Sequence, residues 1–390
     1  MISRFALVKQ KLQDNIGDVI PAVFGANASP KRRKLRRWAI VNPWSASKSA
    51  NLSVYLSGPK CGGWIDFTTG DKGDAIDLVA YGQAGIVTDD SRKRAVEWAE
   101  DRYGIRDMSP AARRDQAEAA AKRQKQWDEQ ARAGQQAQRE RVRKAFYAAQ
   151  ARLAGTPVER YLELPKSDGG RGIPLADIPF MSASFRYRPD AEYWPLAEYD
   201  EDGKRVTPGP RFPALVSAMV SGDGSLNALH YTFLAPDGRG KAPVAQLAAS
   251  RGLDPDDFSA KLFKGDVQGF VIRCTNGPSG LTPTDAAAAG VSGPCGLTEG
   301  IEDALSAAIL SPRLRMWAAG SLSGLLHVPD HTSVSGWLVF KDNDWGKPQA
   351  AALFDRAIAR LRSFGKPLEI VAMPADWGKD INDALTNQET

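Results

Sequence analysis

From residue 286 onward, apolar and polar positions fall into short alternating blocks. Compact apolar runs (PCGLT, RMWAA, WLVF, LEIVAM) are separated by stretches with helical spacing (IEDALSAAIL, AAALFDRAIARL). Short apolar runs bounded by turns suit buried strands, and their alternation with helices predicts a parallel α/β sheet over 286–390. Residues 151–285 have a different texture, with Pro and Gly punctuating RYRPDAEYW, VTPGPRFPALV and LAPDGRGKA, so an α+β region rich in strands and turns is expected there. Residues 109–150 are dominated by Ala, Gln and Arg with few apolar anchors, which predicts an exposed helical connector. Residues 1–108 carry short apolar stretches (WAIV, NLSVYL, GWIDF) and then the helix-like GDAIDLVAYGQAG, a small domain of its own. No internal repeat is present, and the fold class expected is a multi-domain α/β protein.

A length of 390 residues accommodates two or three domains, and 43% hydrophobic with 25% charged residues is the balance of a soluble globular chain. No apolar run approaches the roughly 18–20 residues that a membrane helix needs. The start MISRFALVKQKLQDN has no signal-peptide apolar core. The three cysteines, Cys61, Cys274 and Cys295, are far apart, so a reducing, cytoplasmic setting is expected rather than a disulfide framework. With no CxxC and no HExxH, and with His230, His327 and His331 in no ligand pattern, a zinc site of standard spacing is not expected.

Charge changes the picture at the N-terminus. Residues 1–40 hold nine Lys/Arg and two Asp/Glu, a net +7 against +5 for the whole chain, which leaves −2 for the rest. Most of the excess lies in Lys31, Arg32, Arg33, Lys34, Arg36 and Arg37. Such a run favours a polyanion through phosphate contacts and counterion release; its plainer alternative is a solvated loop.

The C-terminal block carries the chemistry. VFKDNDWG ends an apolar run in two carboxylates, Asp342 and Asp344, whose repulsion costs free energy unless a cation or strong donors offset it. Asp344 could cap the helix that follows; capping leaves Asp342 unexplained. Glu299 sits at another expected strand end, and Asp376, Asp380 and Asp383 follow a third. Ligands of open α/β sheets bind outside the carboxyl ends of the strands, and acids converging there suit Mg²⁺ or Mn²⁺.

In order, TEGIEDALS, AAGSLSG, KDNDWGKPQAA and KDINDAL resemble the motifs of the Toprim domain, shared by bacterial-type primases, topoisomerases and some nucleases. The resemblance implies catalytic roles for Glu299, Asp342 and Asp344, and metal ligation by these three with Asp380 and, less directly, Asp383. Asn343 stands where bacterial primases often have Gly, which leaves the acids in place. Upstream, TPVERYLE, GRGIP, SFRYRP, PRFPALVSAMV, LHYTFLAPDGRGKA and KLFKGDVQGFVIR resemble the catalytic core of primases from phages and mobile elements. Arg211, Lys241 and Lys264 are the candidate nucleotide-phosphate contacts, although GRGK is equally a hairpin turn, and Arg186 and Arg188 are equally surface residues. His230 suits a structural role better than a catalytic one.

The N-terminal stretches NPWSASKSANLSVYL, CGGWIDF and GDKGDAIDLVAY resemble the zinc-ribbon of bacterial primases with most ligands missing, since only Cys61 has a counterpart. One thiol cannot make a tetrahedral site. A metal-free domain held by Trp38, Trp44, Trp64 and Phe67 is therefore expected, with Trp44 and Trp64 as candidates for stacking on single-stranded bases. No G-x-x-x-x-G-K-[ST] occurs, so a helicase would come from another chain. The function implied is synthesis of RNA primers on single-stranded DNA from ribonucleoside triphosphates, in phage, plasmid or mobile-element replication. The alternatives are a metal-dependent Toprim nuclease and a non-catalytic single-stranded-DNA-binding accessory protein.

Overall fold

The computed structural model describes residues 4–30, 37–45, 50–200, 204–343 and 348–387. The chain divides into two compact units, Met1–Gln136 and Ala137–Thr390. Among the described residues no helix is long and apolar enough to cross a membrane.

In the first unit, helices α1 (Arg4–Asp14) and α2 (Ile16–Phe24) precede an antiparallel meander of β1 (Arg37–Ile40), β2 (Leu52–Tyr55), β3 (Trp64–Asp66) and β4 (Lys72–Gly73), followed by α3 (Ala75–Ala84) and α4 (Asp89–Arg102). Local sequence sets the limits of α3. Asp74 and Asp77 form a reciprocal capping box at its start, and Gly85 ends it in the left-handed conformation at φ 71°. Leu12, Val19, Ile20, Trp38, Ile40, Leu52, Val54, Trp64, Leu78 and Val79 form its core.

The aromatic set expected to hold this unit divides. Trp38 and Trp64 are buried, and Trp64 packs on Tyr81 at 4.5 Å between ring centroids. Trp44 and Phe67 instead lie 53% and 60% exposed. Cys61 is buried, its thiol donating to the Gln13 carbonyl at 3.4 Å while the Gln13 amide donates to the Cys61 carbonyl at 2.9 Å.

Helix α5 (Pro110–Tyr147) runs through the segment expected to be a solvated connector, but it is anchored at both ends. Ala117, Ala120 and the partly buried Trp127 pack within the first unit, and Val142 and Phe146 enter the core of the second. Anchors so widely spaced leave a weak periodic signal, because each end buries only a turn or two.

The second unit begins with α6 (Pro157–Glu163). It continues through β5 (Phe185–Glu192), a small hairpin of β6 (Glu198–Tyr199) and β7 (Arg205–Thr207), then β8 (Arg211–Val220), β9 (Leu226–Phe233), α7 (Val244–Ser250) and β10 (Lys261–Gly265). Strands β10-β9-β8-β5 form an antiparallel sheet in that order. Its alternation separates two cores: Leu215 and Met219 face one way, Ala214, Val216 and Ala218 the other.

The remaining elements are β11 (Ile272–Arg273), α8 (Pro283–Ala288), β12 (Gly293–Thr298), α9 (Ile301–Leu310), β13 (Arg315–Ala318), β14 (Val334–Lys341), α10 (Pro348–Arg362), β15 (Leu368–Ala372) and α11 (Ile381–Asn387). They build a sheet of order β11-β13-β12-β14-β15, parallel except for β11. The sheet thus recruits an edge strand from before residue 286; two residues of pairing give no pattern that a sequence could reveal. Trp317, Trp337, Val339 and Phe354 fill one face, and Met316, Phe340 and α9 pack on the other against Tyr161, Leu162 and Leu215 of the antiparallel part.

Candidate active site

Parallel pairing of β12 with β13 and β14 brings their carboxyl ends side by side. Glu299 follows β12 directly, in a turn closed by the Ala319 amide on the Thr298 carbonyl (3.0 Å) and the Gly320 amide on the Glu299 carbonyl (2.9 Å). At Gly300, the start of α9, a Cβ would lie 2.3 Å from an Asp303 carboxylate oxygen, so a larger residue would displace that carboxylate. Asp342 follows β14. Its neighbour Asn343 ties this strand end to the loop beyond β15: its amide group donates to the carbonyls of Met373 (3.2 Å) and Gly378 (2.9 Å), and its backbone N–H to that of Lys379 (2.7 Å). Glu299 and Asp342 line one cavity of about 210 Å³, together with Leu322, Leu325, Phe340 and Phe354.

Negative charge accumulates here. Burial, then Asp380, Asp342 and Glu302, pushes the Asp303 carboxyl well above its ordinary range. A hard cation would relieve that congestion, and the donors are all carboxylate oxygens, which fits Mg²⁺ or Mn²⁺. Among the described residues, no three His, Cys, Asp or Glu are grouped closely enough to hold an ion; Asp344 lies outside those residues. The Asp383 carboxylate is engaged by Lys166 and by the Lys379 amide (2.6 Å). Burial opposes its ionisation, but Lys166 and the amide hold its pKa below the usual range. Asp380 caps the same turn, accepting from the Asp383 amide at 3.0 Å.

A basic cluster from the antiparallel part lies against α9. Lys261, on β10, donates to Glu302 at 2.9 Å; the Tyr161 hydroxyl donates to the same carboxylate at 2.7 Å and accepts from Arg171 Nε at 2.9 Å. Burial alone would raise the Glu302 pKa, yet Lys261 and Lys241 hold it far below the usual carboxylate range. Lys241 belongs to this cluster, its pKa lowered to about 8 by burial and by Lys261. His230 is buried with its ring edge-on to Phe263 at 5.0 Å, and burial lowers its pKa to about 3, so it is neutral at physiological pH.

Of the expected phosphate contacts, Lys241 alone reaches this region. Lys264 lies on the opposite face of β10 with its ammonium 5.8 Å from the Trp194 ring centroid, because alternate residues of a strand point to opposite faces. Arg211 is paired with Asp190 at 3.0 Å at the start of β8. Among the DNA-binding candidates, Trp64 is in the core and cannot offer a ring face to a base, whereas Trp44 is exposed over Gly85. Arg37 stacks over Tyr55 at 4.4 Å; Lys31, Arg32, Arg33, Lys34 and Arg36 lie outside the described residues. Sequence reasoning missed Lys261, Glu302, Tyr161 and Arg171. One signal was available: Glu302 and Asp303 are two acids in a helix, IEDALSAAIL, whose other residues are nearly all apolar.

A parallel sheet with acids at adjacent strand ends and a small-residue turn after its second parallel strand is a Toprim arrangement. Residues 295–389 match the Toprim domain family, and this part of the chain is a Toprim domain. Residues 136–254 match a domain of unknown function, DUF7146. Among solved structures the chain is similar to a DNA primase domain from Pseudomonas aeruginosa, at 15% identity over 65% of this chain and 75% of that chain, TM-score 0.38. It is also similar to the zinc-binding and RNA polymerase domains of the Aquifex aeolicus primase (14%, 98% and 85%, TM-score 0.34). A third is the primase fragment of the bacteriophage T7 primase-helicase protein (12%, 45% and 59%, TM-score 0.29). No curated protein matches.

Proposed function

We propose that the protein is a DNA primase that assembles short RNA primers on single-stranded DNA for a phage, plasmid or other mobile element. The observation that carries this is the pair Glu299 and Asp342, lining one cavity at neighbouring strand ends of a Toprim domain. With Asp344 and Asp380 they would supply an all-oxygen ligand set for Mg²⁺ or Mn²⁺, which would neutralise triphosphate charge and stabilise the pyrophosphate leaving group. Lys241 and Lys261 supply fixed positive charge for the phosphates, and Glu299 serves as ligand or as acid/base. Asn343 holds the Asp342 end against the 373–379 loop, fixing the distance between two of the acids. In the first unit, the exposed Trp44 and Phe67, with Arg37 and Lys60 over Tyr55, offer aromatic and cationic contacts for an unpaired strand.

The test is incubation with single-stranded DNA, Mg²⁺ or Mn²⁺ and labelled ribonucleotides. Short oligomers that depend on template and metal are expected. Cleavage of DNA without added nucleotide would replace this proposal with a nuclease, and DNA binding with neither product would leave an accessory protein.

A further inference from the structure

Glu302 belongs to none of the expected metal ligands, yet it is the most heavily engaged acid of the second unit's interior. It is 7% exposed and binds Tyr161 of α6 and Lys261 of β10 across the seam between the antiparallel sheet and the Toprim part. The network continues on both sides. Arg171 donates to Tyr161 and lies over its ring at 5.1 Å, while the Arg171 carbonyl accepts from Asn382 of α11. Asn382 also donates to Ser306, whose hydroxyl donates to the Glu302 carbonyl. The carboxylate thus joins α6 and β10 to α9, while the loop at Arg171 is tied in through Tyr161, and α11 through Ser306 and the Glu302 backbone. A buried charge costs free energy unless it is paired and hydrogen-bonded, and this one is both.

We propose that Glu302 is a positioning residue: by holding Tyr161 and Lys261 it seats the Toprim part on the antiparallel sheet and lets Lys261, opposite Thr232 of β9, and Lys241, opposite Leu234 just beyond it, act together as cations presented to an anionic ligand. The identity of that ligand as a nucleoside triphosphate rests on the primase proposal. Like charges repel, and Glu302, at 2.9 Å, offsets the charge of Lys261. The charges that act on Lys241 are Lys261 from β10, Glu302 and Asp303 from α9, and Arg171 from the loop after α6, and Glu302 is the acid that favours its charged form most. Burial and Lys261 lower the Lys241 pKa to about 8, and Glu302 opposes them.

The experiment follows acylation of Lys241 against pH by peptide mapping in the full chain, alongside binding of ATP with Mg²⁺. In Glu302→Gln, which keeps an acceptor for Tyr161, the midpoint of Lys241 labelling moves to lower pH. ATP affinity at pH 8 falls roughly tenfold, the loss of one charge-assisted contact, with a smaller loss at pH 6.5. In Lys261→Met the Lys241 midpoint moves to higher pH, so the proposal stays testable should the first variant fail to fold. An unchanged midpoint in the folded variants would overturn the assignment, since a purely structural Glu302 would lower the melting temperature without touching Lys241. If the midpoint moves as expected but the parent protein binds no ATP, the positioning role stands and the primase proposal falls.

Discussion

Tyr161→Phe removes one oxygen from the centre of this network and leaves the ring in place. Tyr161 is 0% exposed, and its hydroxyl donates to Glu302 at 2.7 Å while accepting from Arg171 at 2.9 Å. Burial, reinforced by Glu302, keeps the phenol pKa well above its ordinary value, so it is a neutral donor at any working pH. Hydrogen bonds to charged groups contribute about 1.5–3 kcal/mol each, and two are lost. Lys261 still holds Glu302, so the expected cost is about 2–4 kcal/mol rather than the full sum. In a unit of this size each kcal/mol is worth about 2–4 °C, which gives a fall in Tm of roughly 4–16 °C. Thermal melts by circular dichroism, with urea titration to confirm an unchanged m-value, measure this directly. A loss below about 0.5 kcal/mol, the range of surface substitutions, would refute the claim that this hydroxyl joins the two parts of the second unit.

Three further outcomes are expected. Asp342→Asn abolishes metal-dependent primer synthesis, while the Tm of the metal-free protein stays level or rises, because a charge is removed from a crowded group; retained synthesis would count against the metal site. Replacing Lys31, Arg32, Arg33 and Arg36 by Ala lowers the slope of log affinity for single-stranded DNA against log salt by about one per lost phosphate contact, and an unchanged slope would mean a solvated loop. Exhaustive chelation leaves the melt of the first unit unchanged, and stoichiometric zinc by elemental analysis would contradict a domain held by Trp38, Trp64 and its apolar core.

By itself the sequence carried the Toprim motifs and the alternation of strands and helices around them. These are local signals: Glu299 and Asp342 stand beside strand ends that short apolar runs mark out, and Asp380 stands at the start of α11. Side-chain direction was decided elsewhere. Lys264 is expected as a phosphate contact because it precedes Gly265; the register of β10 on β9 turns Lys261 toward Glu302 and Lys264 toward Trp194. Packing against Tyr81 buries Trp64, while Trp44 lies across Gly85, exposed. The sequence could mark Glu302 as an acid in an apolar helix, but not its partners. The members of the network come from residues 161, 171, 261, 302 and 382, and no local rule links positions so far apart. The physical reason is that a strand end is fixed by neighbours in the chain, whereas the partner of a buried charge is fixed by which surfaces the whole fold brings together.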